Sequence, residues 1–225
     1  MGDYLTYEYD VKKRPVTSYP DKLAEYLFKK YEMKKGNSIL EIGAGRCELL
    51  AGFKKLGLNV YAFDSAPTAK DWAQEYDIFF ELGSYEADQM FRPFNGLKFD
   101  YIFSKSFIEH INTPVEFAIA CKSNLSPKGK HIILTPDFEA NYRIFYDDIT
   151  HVKPFTTLSM IQLFELAGYA DIKVDKFRQL PSTWNSRAML FFSKVTSLVS
   201  HHRAKSKWLR WSRELMISGI GVNSD

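Results

Sequence analysis

Ser38-Ile39-Leu40-Glu41-Ile42-Gly43-Ala44-Gly45-Arg46-Cys47-Glu48-Leu49-Leu50 is the stretch from which the fold is read. A short apolar run turns through two glycines and resumes with helical apolar spacing, giving strand, tight turn and helix. Such a turn suits a nucleotide-sized ligand. Glycine lets the backbone approach the ligand closely, and the helix that follows presents its unpaired N–H groups. A dinucleotide-binding turn of the usual kind carries a third glycine, but Cys47 and Glu48 stand where it would fall. The glycines alone therefore do not decide the ligand.

Two carboxylates narrow the choice. Glu41 closes an otherwise apolar strand just before Gly43, and burying it is costly unless it accepts hydrogen bonds from a ligand with donors, such as an ammonium. Residues 59–64, Asn-Val-Tyr-Ala-Phe-Asp, read as a second strand ending in an acid. Asp64 thus falls about 20 residues beyond the glycine turn, where a carboxylate accepts ribose hydroxyls. The set Glu41, Gly43, Gly45 and Asp64 resembles the cofactor site of class I S-adenosylmethionine-dependent methyltransferases. In those proteins an acid precedes the first glycine, where NAD-binding folds usually hold an apolar residue. The resemblance implies that Glu41 holds the methionine-end ammonium indirectly or through water. Gly43, Ala44 and Gly45 would form the close turn, with Asp64 and its neighbour Ser65 at the ribose. Ser84 occupies the place of the family's adenine-binding acid, so adenine recognition would pass to its backbone or to Tyr85. Ser104, at the tip of the fourth strand, completes the expected cofactor set, and S-adenosylhomocysteine would be the product.

Composition bounds the rest. With 225 residues, 45% apolar and 25% charged, the chain suits one ordinary α/β domain with a real core. The first twenty residues are charged and tyrosine-rich rather than a secretory signal, and no run reaches the ~18–20 apolar residues that span a bilayer. Cys47 and Cys121 sit inside predicted elements, which fits reduced thiols and a cytoplasmic setting. No CxxC or HxxxH spacing argues for zinc, and no metal is expected. Net charge is only +3, yet residues 176–213 hold nine Lys and Arg and no Asp or Glu. That asymmetry suits an anionic partner (a phosphate-bearing substrate, lipid headgroups or nucleic acid) or else a solvated face.

The remaining pattern alternates helices and strands. A polar arm over 1–19 carries Tyr7, Arg14 and Tyr19, which are more simply surface packing residues than ligand contacts. A cofactor-binding core over 20–180 follows, with helices at 20–31, 48–55 (closed by Gly57), around Trp72, at 114–124 and at 156–167, and strands at 79–82, 99–104, 131–136 and 171–177. The 114–124 helix is expected to turn Val115, Ala118, Ile119 and Lys122 inward, and Pro127-Lys128-Gly129 reads as a turn. The run Ser106-Phe107-Ile108-Glu109-His110 resembles the segment after strand four in small-molecule methyltransferases. It is not the Asn/Asp-Pro-Pro-Tyr motif of enzymes that methylate amino groups of bases, which counts against a nucleic-acid acceptor. His110 either fixes the 108–114 loop or lies near the methyl group. Leu125-Ser126-Pro127-Lys128-Gly129, followed by a strand ending in Thr135-Pro136, also looks like the family.

The segment Tyr146-Asp147-Asp148-Ile149-Thr150-His151-Val152-Lys153-Pro154-Phe155-Thr156 falls where a substrate lid would lie. Its Asp-x-x-His-Val-x-Pro-Phe-Thr pattern resembles bacterial methyltransferases of sugar and surface-polysaccharide pathways. His151 is the candidate general base with Asp148 orienting it; the alternative is that His151 anchors the loop while Thr156 caps the next helix. A divalent ion on Asp147, Asp148 and His151 is a further reading.

Residues 181–212 read as a helical insertion before a last strand at 213–222. Ala188, Phe191, Phe192, Val195, Leu198 and Val199 form one stripe at helical spacing. The stripe is expected to pack on the domain and wall the substrate site; an in-plane membrane helix over 187–211 and a dimer contact use the same face. The resemblance implies one domain over 1–225, a doubly wound, mostly parallel seven-stranded sheet of order 3-2-1-4-5-7-6, and either a monomer or a homodimer. It implies methyl transfer to a small acceptor, best a hydroxyl on a sugar or glycan intermediate. An RNA or protein methyltransferase using the basic stretch, and a binding protein that has lost catalysis, are the alternatives.

Overall fold

The computed structural model describes residues 11, 12, 14–85 and 91–224. Tyr4, Tyr7 and Tyr9 of the expected arm, and Glu86, lie outside the described residues. The strands are β1 (Ser38–Ile42), β2 (Asn59–Asp64), β3 (Phe79–Leu82), β4 (Phe99–Lys105), β5 (Leu125–Pro136), β6 (Ala170–Arg178) and β7 (Leu215–Val222). They form a seven-stranded sheet in the order β3-β2-β1-β4-β5-β7-β6. Pairing is parallel from β3 through β2 and β1 to β4, and antiparallel between β6 and β7. This is the expected doubly wound order. The chain forms two compact units, one comprising residues through Ser104 with Ala120–His131 and the chain end, the other Lys105–Ile119 with Ile132–Val222.

In the first unit the apolar runs of the central strands dictate burial on both faces. Ile39, Leu40, Ile42, Ile102 and Phe103 are fully buried, as a parallel sheet covered by helices requires. Helix α1 (Tyr19–Lys30) buries Leu23, Ala24 and Leu27, and α2 (Glu48–Lys55) buries Leu49, Leu50 and Phe53. The Phe53 ring meets Phe103 edge-on with centroids 6.0 Å apart. The two helices cross so closely that a Cβ at Gly52 would stand 2.8 Å from that of Ala24. Gly57, at φ +91°, ends α2 as the sequence requires. Helix α3 (Ala69–Glu75) then leads to β3.

Helix α4 (Pro114–Ser123) shows where spacing misleads. Phe117, Ala118 and Cys121 are its buried residues, whereas Ile119 is 46% exposed, so the inner face lies about one residue round from the expected edge. The turn expected at 127–129 falls inside β5. Lys128 takes a left-handed φ of +61°, yet pairing continues through Lys128 N–H to the Asn223 carbonyl at 3.0 Å and Asn223 N–H to Gly129 at 2.8 Å. One left-handed residue bends the strand without ending its ladder.

In the second unit α5 (Thr157–Leu166) packs on the β6–β7 hairpin. Thr156 and Ser159 form a capping box at its start, and Met160, Leu163 and Phe164 are buried. The glycines of β7 admit this approach: a Cβ at Gly221 would lie 2.7 Å from the Phe164 ring. The insertion holds two helices, α6 (Arg187–Val199) and α7 (Lys207–Arg213). Because α7 runs to Arg213, the last strand begins at Leu215 rather than at 213. The expectation that the insertion's apolar stripe packs inward is overturned. Phe191, Phe192, Val195, Leu198 and Val199 are exposed, and the residue α6 buries is Ser193. Among the described residues no helix is long and apolar enough to cross a membrane, and Cys47 and Cys121 are free, buried thiols.

Buried His131 couples the fold to pH. Burial pushes its imidazole down to about 3 from the usual 6.5. The folded value lies below the unfolded one, so the stabilising contribution is complete above about pH 6.5 and is lost as pH falls toward 3. The stability of the wild type relative to His131→Leu, read from denaturant melts, should fall by about 1.4 kcal/mol per pH unit below 6.5. Parallel stability curves would remove His131 from the acid response.

Candidate functional site

The glycine turn is held shut by one carboxylate. Gly43 and Gly45 take φ of +74° and +53°, and Cys47 follows at +55°, three left-handed residues alternating with Ala44 and Arg46 that carry the chain from β1 into α2. Gly43 N–H donates to the Phe63 carbonyl at 2.9 Å, which ties the turn to β2. At the tip of β2, buried Asp64 accepts from Gly45 N–H at 2.7 Å through Oδ2 and from Ala66 N–H at 2.8 Å through Oδ1. A carboxylate oxygen can accept two hydrogen bonds, so the chemistry of Asp64 also suits a vicinal diol.

The other cofactor candidates are placed as follows. Glu41 is buried near the end of β1, and Ala44 is buried in the turn. Burial, then the Glu41 and Asp64 charges, raise the Cys47 thiol well above its ordinary range, which makes it a packing group rather than a nucleophile. Ser65 and Ser84 are exposed, and Tyr85 is half-buried with its ring edge-on to Phe91 at 5.5 Å. Gly83 is required where it stands, because a Cβ there would lie 2.7 Å from the Phe63 ring. Ser104 is fully buried and its hydroxyl has no hydrogen-bond partner among the described residues. A buried orphan hydroxyl carries a desolvation cost that a ligand would relieve.

Sequence reasoning missed Arg46. Its guanidinium is buried, donates to Glu48 at 2.7 Å and to the Arg14 carbonyl at 2.6 Å, and lies over the Trp72 ring at 5.5 Å. The signal was present as a charged residue between the glycines and the helix, with an acid two positions later. Arg14, read from the sequence as a surface packing residue, is exposed and offers its backbone carbonyl to Arg46.

The second unit gathers a different set. The turn Ile108–His110 follows β4 and buries Glu109 completely. Glu109 Oε2 accepts from Thr135 Oγ1 at 2.9 Å, whereas Oε1 has no partner among the described residues. Burial raises this carboxyl, against the lowering influence of His110, Thr135 and His151. The Glu109 carbonyl accepts from Val152 and Lys153 N–H at 2.9 and 3.0 Å, which pins the expected lid segment to this turn.

His110 and His151 stand face to tilted face, with centroids 4.9 Å apart. His151 Nδ1 lies 2.6 Å from the Phe145 carbonyl; a carbonyl only accepts, so Nδ1 carries a proton, and in the neutral tautomer the lone pair is on Nε2. His110 Nδ1 lies 3.1 Å from the Thr150 carbonyl and 2.9 Å from Thr150 Oγ1, whose own proton goes to Asp148, so this Nδ1 also donates. Asp148, expected to orient His151, stands 3.9 Å from its Nε2 and accepts instead from Thr150 N–H and Oγ1–H at 3.0 and 2.6 Å. Asp147 pairs with Arg203 at 3.0 Å. The ligating atoms of Glu109, His110 and His151 lie within 4.8 Å of one another, a two-histidine, one-carboxylate group that could hold a divalent cation. It differs from the Asp147, Asp148 and His151 set weighed from the sequence. The signal for Glu109 lay in its sequence adjacency to His110, but the hydroxyl it accepts from, Thr135, lies far along the chain.

The sequence family described as a methyltransferase domain matches residues 11–174, more than half of the chain. A ubiquinone biosynthesis O-methyltransferase of Roseobacter denitrificans is 29% identical over 105 residues, which cover 45% of this chain and 42% of that protein. The match thus spans less than half of that relative's length. A SAM-dependent methyltransferase from Archaeoglobus fulgidus superimposes with a TM-score of 0.66 at 18% identity, covering 98% of this chain and 100% of the other. Phosphoethanolamine N-methyltransferase 2 of Haemonchus contortus, solved with S-adenosyl-L-methionine, gives 0.63 at 17% identity over 91% of this chain and 52% of its own. At such identities the two structures speak for the fold alone.

Replacing Ser104 by Ala removes the orphan hydroxyl. Thermal stability should stay level or rise, while affinity for S-adenosylmethionine in calorimetry falls several-fold. Unchanged affinity would take Ser104 out of the ligand set.

Proposed function

Because this chain belongs to the methyltransferase-domain family, we propose that it transfers the methyl group of S-adenosylmethionine to a hydroxyl of a small-molecule acceptor. The observation that carries the cofactor reading is the clasp in which Asp64 accepts from both Gly45 and Ala66. That clasp sets a carboxylate beside two left-handed glycines, the arrangement a nucleoside with a free ribose diol requires. Glu41, Gly43, Ala44, Gly45 and Ser104 complete the cofactor set, with Ser65, Ser84 and Tyr85 at its margin.

In this reaction the acceptor oxygen attacks the methyl carbon in line with the carbon–sulfur bond. The sulfur departs as a neutral thioether, giving S-adenosylhomocysteine, and a base takes the hydroxyl proton. His151 is that base, through the Nε2 lone pair that the Phe145 carbonyl secures. The Asp148 turn fixes the loop beside it, so Asp148 is a positioning residue. The curated relative's name supports oxygen as the acceptor atom. The likeness of 146–156 to sugar-pathway enzymes, with no Asn/Asp-Pro-Pro-Tyr run after β4, supports a sugar-bearing acceptor over nucleic acid.

A second reading rests on the Glu109, His110 and His151 group, whose convergence suits a divalent ion polarising the acceptor oxygen. The two readings separate cleanly. With labelled S-adenosylmethionine and a panel of phosphosugars, nucleotide sugars and dihydroxy aromatics, methyl transfer should survive exhaustive chelation if His151 acts alone. Loss restored by Mg²⁺ or Mn²⁺ would favour the metal.

His151→Ala should lower kcat by about 10²–10⁴-fold while leaving cofactor affinity unchanged. Unaltered turnover would leave His151 as an anchor of the loop.

A further inference from the structure

Helix α6 is built inside out. Its buried residue, Ser193, accepts from Arg178 Nε at 3.1 Å and donates to Ser212 Oγ at 3.1 Å, and Ser212 donates in turn to the Trp208 carbonyl at 2.8 Å. The inward contact is therefore a chain of hydroxyls, every one satisfied. On the opposite side Phe191, Phe192, Val195, Leu198 and Val199 are 63, 58, 48, 80 and 85% exposed. At helical spacing these five fall within an arc of about 120°, centred away from Ser193. Five large apolar side chains on one unbroken face exceed the scattered exposure normal for a soluble surface.

The charge around that face identifies its occupant. Arg187 opens the helix, Lys194 lies within it, and Lys205 and Lys207 follow it; all four are exposed, and no Asp or Glu occurs anywhere in 176–213. Lys207 sits over the Trp211 ring at 4.0 Å, placing an aromatic of interfacial character beside the basic run. A second copy of the chain fits poorly, since a two-fold contact through this face would bring two acid-free basic segments together. An apolar arc with cationic flanks is instead the complement of an anionic bilayer surface. At 13 residues α6 is too short to span a bilayer, so it would lie in the plane of the interface.

We propose that α6 docks this protein on anionic membranes, its apolar arc entering the headgroup–acyl boundary and its basic residues contacting lipid phosphates. The docking is independent of the acceptor and of turnover.

The test is flotation of the full chain with vesicles of phosphatidylcholine alone or with one-quarter phosphatidylglycerol, at low, physiological and high salt. The proposal expects at least about tenfold stronger partition onto the phosphatidylglycerol vesicles, weakening as salt rises. Combining Phe191→Ser, Phe192→Ser and Leu198→Ser should lower that partition about tenfold or more with no change in circular dichroism or S-adenosylmethionine affinity. Lys194→Glu with Lys205→Glu should lower it further at low salt than at high. Equal partition onto both vesicle types, or undiminished binding by the triple serine variant, would overturn the proposal. A wild-type dimer in light scattering that the serine variant abolishes, with no flotation, would also overturn it and assign the face to a second copy.

Discussion

Everything the first unit offers a ligand depends on the Asp64 carboxylate. Two successive turns, one after β1 and one after β2, leave backbone N–H groups pointing away from any ladder, and such groups cannot be left dry. Asp64 takes one from each. Hydrogen bonds to a charged acceptor contribute about 1.5–3 kcal/mol apiece, enough to hold left-handed backbone at Gly43, Gly45 and even Cys47. The pair Arg46–Glu48 then locks the start of α2, with the Trp72 ring beneath the guanidinium. The residue read as a ribose acceptor is thus first the pin of the cradle.

The second unit applies the same economy to its histidines. Carbonyls of Phe145 and Thr150, rather than carboxylates, fix both rings through their Nδ1 atoms. The carboxyl beside them is Glu109, and burial drives it toward its neutral form. A carboxyl pushed toward its neutral form beside two imidazoles suits proton transfer; a cation would reverse that balance by favouring the carboxylate. The same three residues therefore serve either chemistry, and chelation separates them.

The strands were legible because they rest on local signals, the apolar residues around Glu41 in β1 and the run 132–134 in β5, punctuated by glycines and prolines; their order in the sheet followed from the family resemblance that the motifs carry. The glycine turn and Asp64 were legible for the same reason. What the sequence hid depends on partners distant in the chain. Glu109 accepts from the Thr135 hydroxyl, and the His151 ring is held by a carbonyl, which has no sequence signature. Lys128 could read only as a turn, since Asn223, which keeps its strand paired, lies at the other end of the chain. On α6 the spacing correctly located an apolar stripe, but spacing does not state which face turns inward; the hydroxyl chain through Ser193 and Ser212 decides that.

The most direct test of the central claim is calorimetric titration of the purified chain with S-adenosylmethionine, S-adenosylhomocysteine and NAD, in the wild type and in Asp64→Ala. The account predicts binding of both adenosyl ligands in the wild type, little or none of NAD, and loss of the adenosyl ligands in a variant that remains folded by circular dichroism. Preference for NAD, or adenosyl binding that survives removal of the Asp64 carboxylate, would contradict it.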